Sequence, residues 1–240
     1  MNQTIEHTIH LIFFTVLLSL GLGSCEREDN HPESSESGGG VQPTTNVNWV
    51  DLGLPSGLLW ADRNVGASSP EDYGDYFAWG ETQPKQTYLW DTYAYGNGNY
   101  LLTKYCNNPS YGLNGFSDTL TVLQPMDDAA TSNWGSGWRT PTETEWQELI
   151  NNTESTWMSR NGVYGLLLTA PNSNSIFLPA AGGRLSNKLY NAGLTCYYWL
   201  SSLYLDNPSG ARYFESASGL TLLLPNRSFG FSVRAVYSTR

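Results

Sequence analysis

The side chains of this chain that could do chemistry are carboxylates and thiols. Glu81, Asp127, Asp128, Glu143 and Glu145 are the acids a glycosidase-like pair would draw on, since such hydrolysis needs one carboxyl as acid and a second as base or nucleophile. Their spacing singles out no pair. Glu143 fits a helix-capping position, and Asp127-Asp128 fits a helix start, where negative charge meets the positive end of the helix dipole. Cys106 and Cys196 stand ninety residues apart in unrelated contexts. A reactive thiolate needs a neighbour that lowers its pKa, and no histidine follows His31 to serve as one. In an oxidising envelope the two cysteines can pair or stay as thiols; their separation decides neither. A histidine-based metal site beyond His31 is excluded by composition. In Gln124-Pro125-Met126, a thioether stands where calcium would need oxygen. Asp127 and Asp128 could contribute to a structural cation, but a solvated helix start is the simpler use. No enzymatic role and no cofactor are expected.

Binding is better represented. Between Gly182 and Val236, short strand-like pieces (Tyr197-Tyr198-Trp199, Arg212-Tyr213-Phe214 and Phe231 to Val236) look like framework. Around them, leucines fall where a turn or a solvated strand face is normally polar. Three consecutive leucines, Leu222 to Leu224, cannot all point inward from one strand. The expected contact set is Leu200, Leu203, Tyr204, Leu205, Asn207, Arg212, Tyr213, Leu220, Leu222, Leu224, Asn226 and Ser228. Exposed aliphatic and aromatic groups on a stiff frame suit recognition of a partner. Leucines offer little to a hydroxylated ligand, so a protein ligand is expected before a carbohydrate.

The elements that would position these groups are short. Val50-Asp51-Leu52 and Leu58-Leu59-Trp60 look like strands joined by a Gly-Leu-Pro-Ser-Gly turn. Asn64 to Ala67 follows as an edge piece, Ser69-Pro70 as a turn and helix start, and Tyr76 to Glu81 as an aromatic strand. Thr82 to Gly115 is a long polar and aromatic insertion with little regular structure. A short helix begins at Asp127-Asp128. Thr140-Pro141-Thr142-Glu143 predicts a capped helix carrying Trp146, Leu149 and Ile150 on one face and ending near Asn151-Asn152. Gly165 to Ala170 and Ser175 to Ala180 are apolar strands joined by a Pro-Asn-Ser-Asn turn. Trp60, Trp79, Trp138, Trp146 and Trp199 are expected in the core, as are Tyr88, Trp90, Tyr93 and Tyr95, for which a binding rim is the other use. Arg139 and Arg234 are expected in ion pairs or on loop carbonyls. This order predicts an α+β fold with one or two helices segregated from antiparallel strands.

The beginning of the chain has a different character. Leu11 to Leu18 is apolar but shorter than the roughly 20 residues of a membrane span. It runs into Leu22-Gly23-Ser24-Cys25, which resembles a bacterial lipobox, although Met1 to His10 lacks Lys and Arg. That likeness implies a lipoprotein signal peptide over 1–24 and diacylglycerol on Cys25, a membrane tether without a spanning helix. The acidic run after Cys25, broken by Arg27, favours display on the outer face of the outer membrane. Residues 25–46, rich in Ser, Gly, Pro and Thr, form a flexible stalk, and 47–240 one domain. The chain has 12 basic and 22 acidic residues, with nine Trp and fifteen Tyr. An acidic chain without a basic patch is a poor partner for nucleic acid.

A set of phrases in fixed order carries a family resemblance: Val50 to Leu58 with Trp60, Asn64 to Ala67, Tyr76 to Thr82, Asp127 to Ala130, Trp138 to Thr142 with Glu145-Trp146, Leu178 to Gly182, Tyr198-Trp199 with Ser201-Ser202, and Gly230 to Arg234. Over Trp49 to Val236 the chain resembles the FISUMP (major paralogous) domain family of bacterial lipoproteins. That resemblance implies a C-type-lectin-like fold, related to the formylglycine-generating enzyme, with a binding region over about 184–236. The enzyme's chemistry uses a close cysteine pair, and Cys106 and Cys196 do not match it. Some members resemble variable proteins of diversity-generating retroelements, in which C-terminal surface positions are randomised, often at asparagine codons. Leu200, Leu203, Leu205, Leu222 and Leu224 stand where such codons would give leucine. A structural or adhesin subunit of a surface assembly is the other reading of the same apolar patch.

Overall fold

Strands β1 (Trp49–Asp51) and β2 (Leu59–Ala61) form the first antiparallel pair, with Val50 opposite Trp60. The turn between them closes with Gly57 N–H donating to Leu54 O at 2.9 Å. These are side chains of a computed structural model, which describes residues 47–98, 100–217 and 226–238. Cys25, the apolar run, the stalk, and Leu220, Leu222 and Leu224 lie outside the described residues.

Among those residues the fold is α+β, with small sheets of antiparallel strands and few helices. Helix α1 (Ala129–Trp134) starts at Asp128, whose carboxylate accepts from the Ala130 and Thr131 amides. Strand β3 (Trp138–Arg139) follows. Helix α2 (Glu143–Asn151) is capped by Thr142, and Glu145 returns to the Thr142 amide at 2.8 Å. The cap therefore sits two residues later than predicted. The reason is local: Thr140 is buried and its amide and hydroxyl already donate to Asp128, at 2.8 and 3.0 Å. Trp146 and Leu149 bury one face of α2, as its periodicity predicts.

Strands β4 (Glu154–Arg160), β5 (Val163–Thr169) and β6 (Ser175–Pro179) make a three-stranded meander. Strand β4 has no alternating pattern to announce it: it is a largely polar edge strand whose two apolar residues, Trp157 and Met158, are adjacent. Hairpin β7 (Gly183–Leu185) and β8 (Lys188–Tyr190) follows, then the longer hairpin β9 (Thr195–Leu203) and β10 (Ala211–Ala217). Finally β11 (Val236–Tyr237) pairs with both β2 and β3, so strands from the two ends of the described domain lie side by side.

Three expected elements are absent as such. Asn64 to Ala67 is a turn, in which buried Asn64 accepts two bonds from the fully buried Arg234 guanidinium. Ser69-Pro70 begins a turn and no helix, and of Tyr76 to Glu81 only Phe77 makes a ladder bridge, to Phe231. The five tryptophans expected in the core are there, and so are Tyr88, Trp90 and Tyr93 of the long insertion.

Strand β9 is the centre of the domain. Cys196, Tyr198 and Leu200 face one cluster with Trp60, Trp146 and Val236; Trp199 and Leu203 face another with Trp79, Phe77 and Val233. A strand with core on both sides carries apolar residues at both parities. This corrects the expected exposure of Leu200 and Leu203, which are 4% and 2% exposed. Burying a leucine side chain is worth about 1.5–3 kcal/mol, so both belong to the framework.

A candidate ligand-binding cavity

The β7–β8 hairpin lies against the far end of β9–β10 from its connecting loop. Gly183 allows this approach: a Cβ there would come 2.7 Å from the Phe231 ring. Arg184 exchanges backbone hydrogen bonds with Gly230 at 2.7 and 2.9 Å, which fixes the hairpin beside residues 229–231. After β8 the chain turns at Asn191, which takes a left-handed φ of 57°, a conformation asparagine tolerates better than most residues. Between these pieces opens a cavity of about 460 Å³, within the size range of small-molecule sites. Gly183, Leu185, Tyr190, Asn191, Tyr197, Tyr213, Glu215, Phe229 and Phe231 line it, together with Arg184.

Aromatic rings dominate the lining. The Tyr197, Tyr213 and Phe231 centroids are 4.9, 5.7 and 6.4 Å apart, with interplanar angles of 14° to 37°. Tyr197 and Phe231 are nearly parallel and Tyr213 is tilted to both, so the three rings form a triangular floor and not a column. Phe229 stands at 63° to Phe231 as a wall. Trp199 packs against Phe231 from the core, at 4.5 Å, and holds the floor in place.

The polar groups are few. The Tyr213 hydroxyl donates to Glu215 Oε2 at 3.1 Å, and Asn191 Nδ2 donates to the Tyr197 hydroxyl at 3.0 Å. Burial raises the Glu215 pKa, against the opposing effect of hydrogen bonds from Tyr213 and Tyr197. Burial likewise raises the Tyr197 hydroxyl pKa. Arg184 holds its guanidinium 5.0 Å from the Tyr76 ring centroid. Side chains alternate along a strand, so this places the guanidinium on the other face of β7 from Gly183 and Leu185.

No protein-family model, curated protein or solved structure matches this chain.

The predicted contact residues do not form one face. Leu200, Leu203 and Ser228 are interior, Ser228 at 2% exposure. Tyr213 lines the cavity. Tyr204, Leu205, Asn207 and Arg212 gather at the connecting loop, about 20 Å along β9 from Tyr197 at the usual strand rise. Of these Leu205 is 52% exposed, while Arg212 is held by Glu143 at 3.2 Å and stacks over Tyr204 at 4.7 Å. Asn226 bridges Gly210 at the same end. Sequence reasoning missed Glu215, Tyr197, Phe229 and the β7–β8 hairpin as lining. Phe229 could have been found as an aromatic flanking framework; Tyr197 had been assigned to the framework itself, and Glu215 carried no signal.

The carboxylates considered for catalysis have partners within the chain, and the thiols are buried. Asp127 accepts from Tyr95 at 2.6 Å and from Tyr105, and pairs with Lys104 at 2.6 Å. Burial pushes its pKa up, but Lys104 and the two hydroxyls outweigh burial and hold it low. Asp128, whose pKa burial raises, caps α1 and binds Thr140. Glu145 pairs with Arg139 at 2.5 Å, as Arg139 was expected to do, and Glu81 pairs with Lys85 at 2.8 Å. Cys106 and Cys196 are free buried thiols, and burial pushes Cys196 up to about 12.

Arg227 is a further framework residue that the sequence hides. It is fully buried, donates to Tyr93 Oη and to the Tyr105 and Lys104 carbonyls, and lies 5.1 Å over the Trp79 ring.

Proposed function

We propose that this chain is a non-enzymatic, surface-displayed lipoprotein of the bacterial outer membrane. It is anchored through Cys25 and binds a protein ligand at the C-terminal face of a C-type-lectin-like domain. The observation that carries this reading is the aromatic cavity beside β7–β8, because it joins preformed concavity to an apolar rim. Leu185, Leu189, Tyr190 and Leu194 on and after that hairpin are 38% to 65% exposed. Large apolar side chains grouped in this way mark interaction sites. The lectin-like reading is supported by β11 closing on β2 and by the long, well-packed insertion between β2 and β3. Lipid anchoring is supported by Leu22-Gly23-Ser24-Cys25. As a retroelement variable protein, the chain would change at cavity-lining positions such as Tyr213, while Leu200, Leu203 and Ser228 stay fixed as framework.

A photo-crosslinking amino acid at Tyr190 tests this in cells displaying the full chain, with the same group at Leu205 as the control. Adducts with a second protein at position 190 and none at 205 are expected. Adducts at 205 alone would refute the cavity reading, and adducts with a repeating surface polymer would favour the adhesin-subunit alternative. Labelled palmitate should enter the parent protein and not Cys25→Ser.

A further inference from the structure

Glu215 is a half-buried carboxylate with no ion pair among the described residues. Four other acids of the domain, Glu71, Glu81, Asp127 and Glu145, each hold a Lys or Arg at 2.5 to 2.8 Å; Asp75 and Asp128 have no ion pair among the described residues either, but neither lines the cavity. Residues 218–225, which follow β10 in the chain, contain no charged residue. The guanidinium of Arg184 is committed to Tyr76 on the far face of β7. The cavity thus joins one uncompensated negative charge to an aromatic floor, a combination that favours a cation.

We propose that this cavity seats a lysine side chain of a basic protein partner, its ammonium between Glu215 and the floor formed by Tyr197, Tyr213 and Phe231. This rests on the cavity being the binding site. The protein already sets cations over tyrosine and tryptophan faces, with Lys85 5.7 Å from Tyr88, Lys104 5.3 Å from Tyr105 and Arg227 5.1 Å from Trp79. A four-carbon stem would lie along Phe229 and Leu185, where the lining is apolar. Arginine fits less well, because its flat fork is held best by both carboxylate oxygens at once, whereas one ammonium needs a single free lone pair beside the Tyr213 bond. A sugar fits less well too. It needs several free hydrogen-bonding groups, and both tyrosine hydroxyls and the Asn191 amide already have partners. The chain's net charge of −10 further favours a basic partner.

The test uses the purified full chain and three probes: Nα-acetyl-lysine methylamide, its norleucine counterpart without the ammonium, and methyl glucoside. Calorimetry gives affinity, and aromatic NMR resonances give location. The lysine probe should bind at least about tenfold more tightly than norleucine, and Glu215→Gln should remove about that factor for lysine alone. Glu215→Gln keeps the side-chain shape and an oxygen to accept from Tyr213, so the fold should survive; an unchanged melting temperature checks this. Glu215→Asp should retain part of the preference. Equal binding of lysine and norleucine, or unchanged lysine binding by Glu215→Gln, would overturn the assignment. If norleucine or the glucoside shifts Tyr197 and Tyr213 while lysine does not, the lysine assignment fails and the cavity stands. If no probe shifts them, the cavity reading fails with it.

Discussion

The β9–β10 hairpin has two ends with similar side chains and different circumstances. At the connecting loop, Asn207 Oδ1 accepts from the Ser209 amide and hydroxyl, Arg212 lies between Glu143 and Tyr204, and the Leu205 carbonyl accepts from Asn107. Most of the polar groups named there meet partners within the chain, although Arg212 Nε faces Glu143 as an ion pair without a hydrogen bond. At the opposite end, Glu215 meets two tyrosine hydroxyls but no cation, above an aromatic floor open to solvent. Side-chain type alone would select the loop end, although the larger group of exposed apolar residues lies at the cavity. Counting which charges already have partners selects the cavity end.

Removing framework common to both ends should have the largest effect. Leu200→Ala and Leu203→Ala should each lower the unfolding free energy by about 2–5 kcal/mol in denaturant titrations. Leu200 is packed in the core, and its carbonyl accepts from Trp79 Nε1 at 2.7 Å. A loss under about 1 kcal/mol would return these leucines to the surface and erase the distinction. Next, Asn207→Ala should cost about 1 kcal/mol through the loss of its turn hydrogen bonds, while binding of the lysine probe stays unchanged. A parallel loss of binding would merge the two ends.

The pH dependence is subtler. Burial raises the folded-state pKa of Glu215, so its stabilising contribution is complete below the ordinary glutamate range and is lost as pH rises through the raised value. The groups facing it are the hydroxyls of Tyr213 and Tyr197, with Arg184 the other charged residue of the lining. Compared with Glu215→Gln, the parent should therefore be relatively more stable in mild acid and lose that advantage toward neutrality. A melting-temperature difference flat with pH would mean that Glu215 is fully solvated. Smallest of all, Leu205→Ser should change stability by no more than about 0.5 kcal/mol and leave the lysine probe's affinity as it was.

Much of the framework was legible because it depends on local pattern. The β5–β6 hairpin, the face of α2 and the five core tryptophans follow from periodicity and turn chemistry. Strand β9 was misjudged through an assumption that one face would be wet. Its near-continuous apolar run, Thr195 to Leu200, is itself the mark of a strand covered on both sides. The cavity was not legible, because it requires Glu215 to meet a hairpin about thirty residues earlier in the chain. Arg227 escaped notice for a related reason. It sits between Asn226 and Ser228, a triplet that looks solvated, and only the fold brings Tyr93 and Trp79 around it.

Resonance-resolved titration of the full chain with Nα-acetyl-lysine methylamide separates the two ends most directly. The rings of Tyr197, Tyr213 and Phe229 should shift together and saturably, while Tyr204 and the Asn207 side-chain amide stay in place. Saturable shifts at Tyr204 and Asn207, with Tyr197 and Phe229 unmoved, would contradict the account.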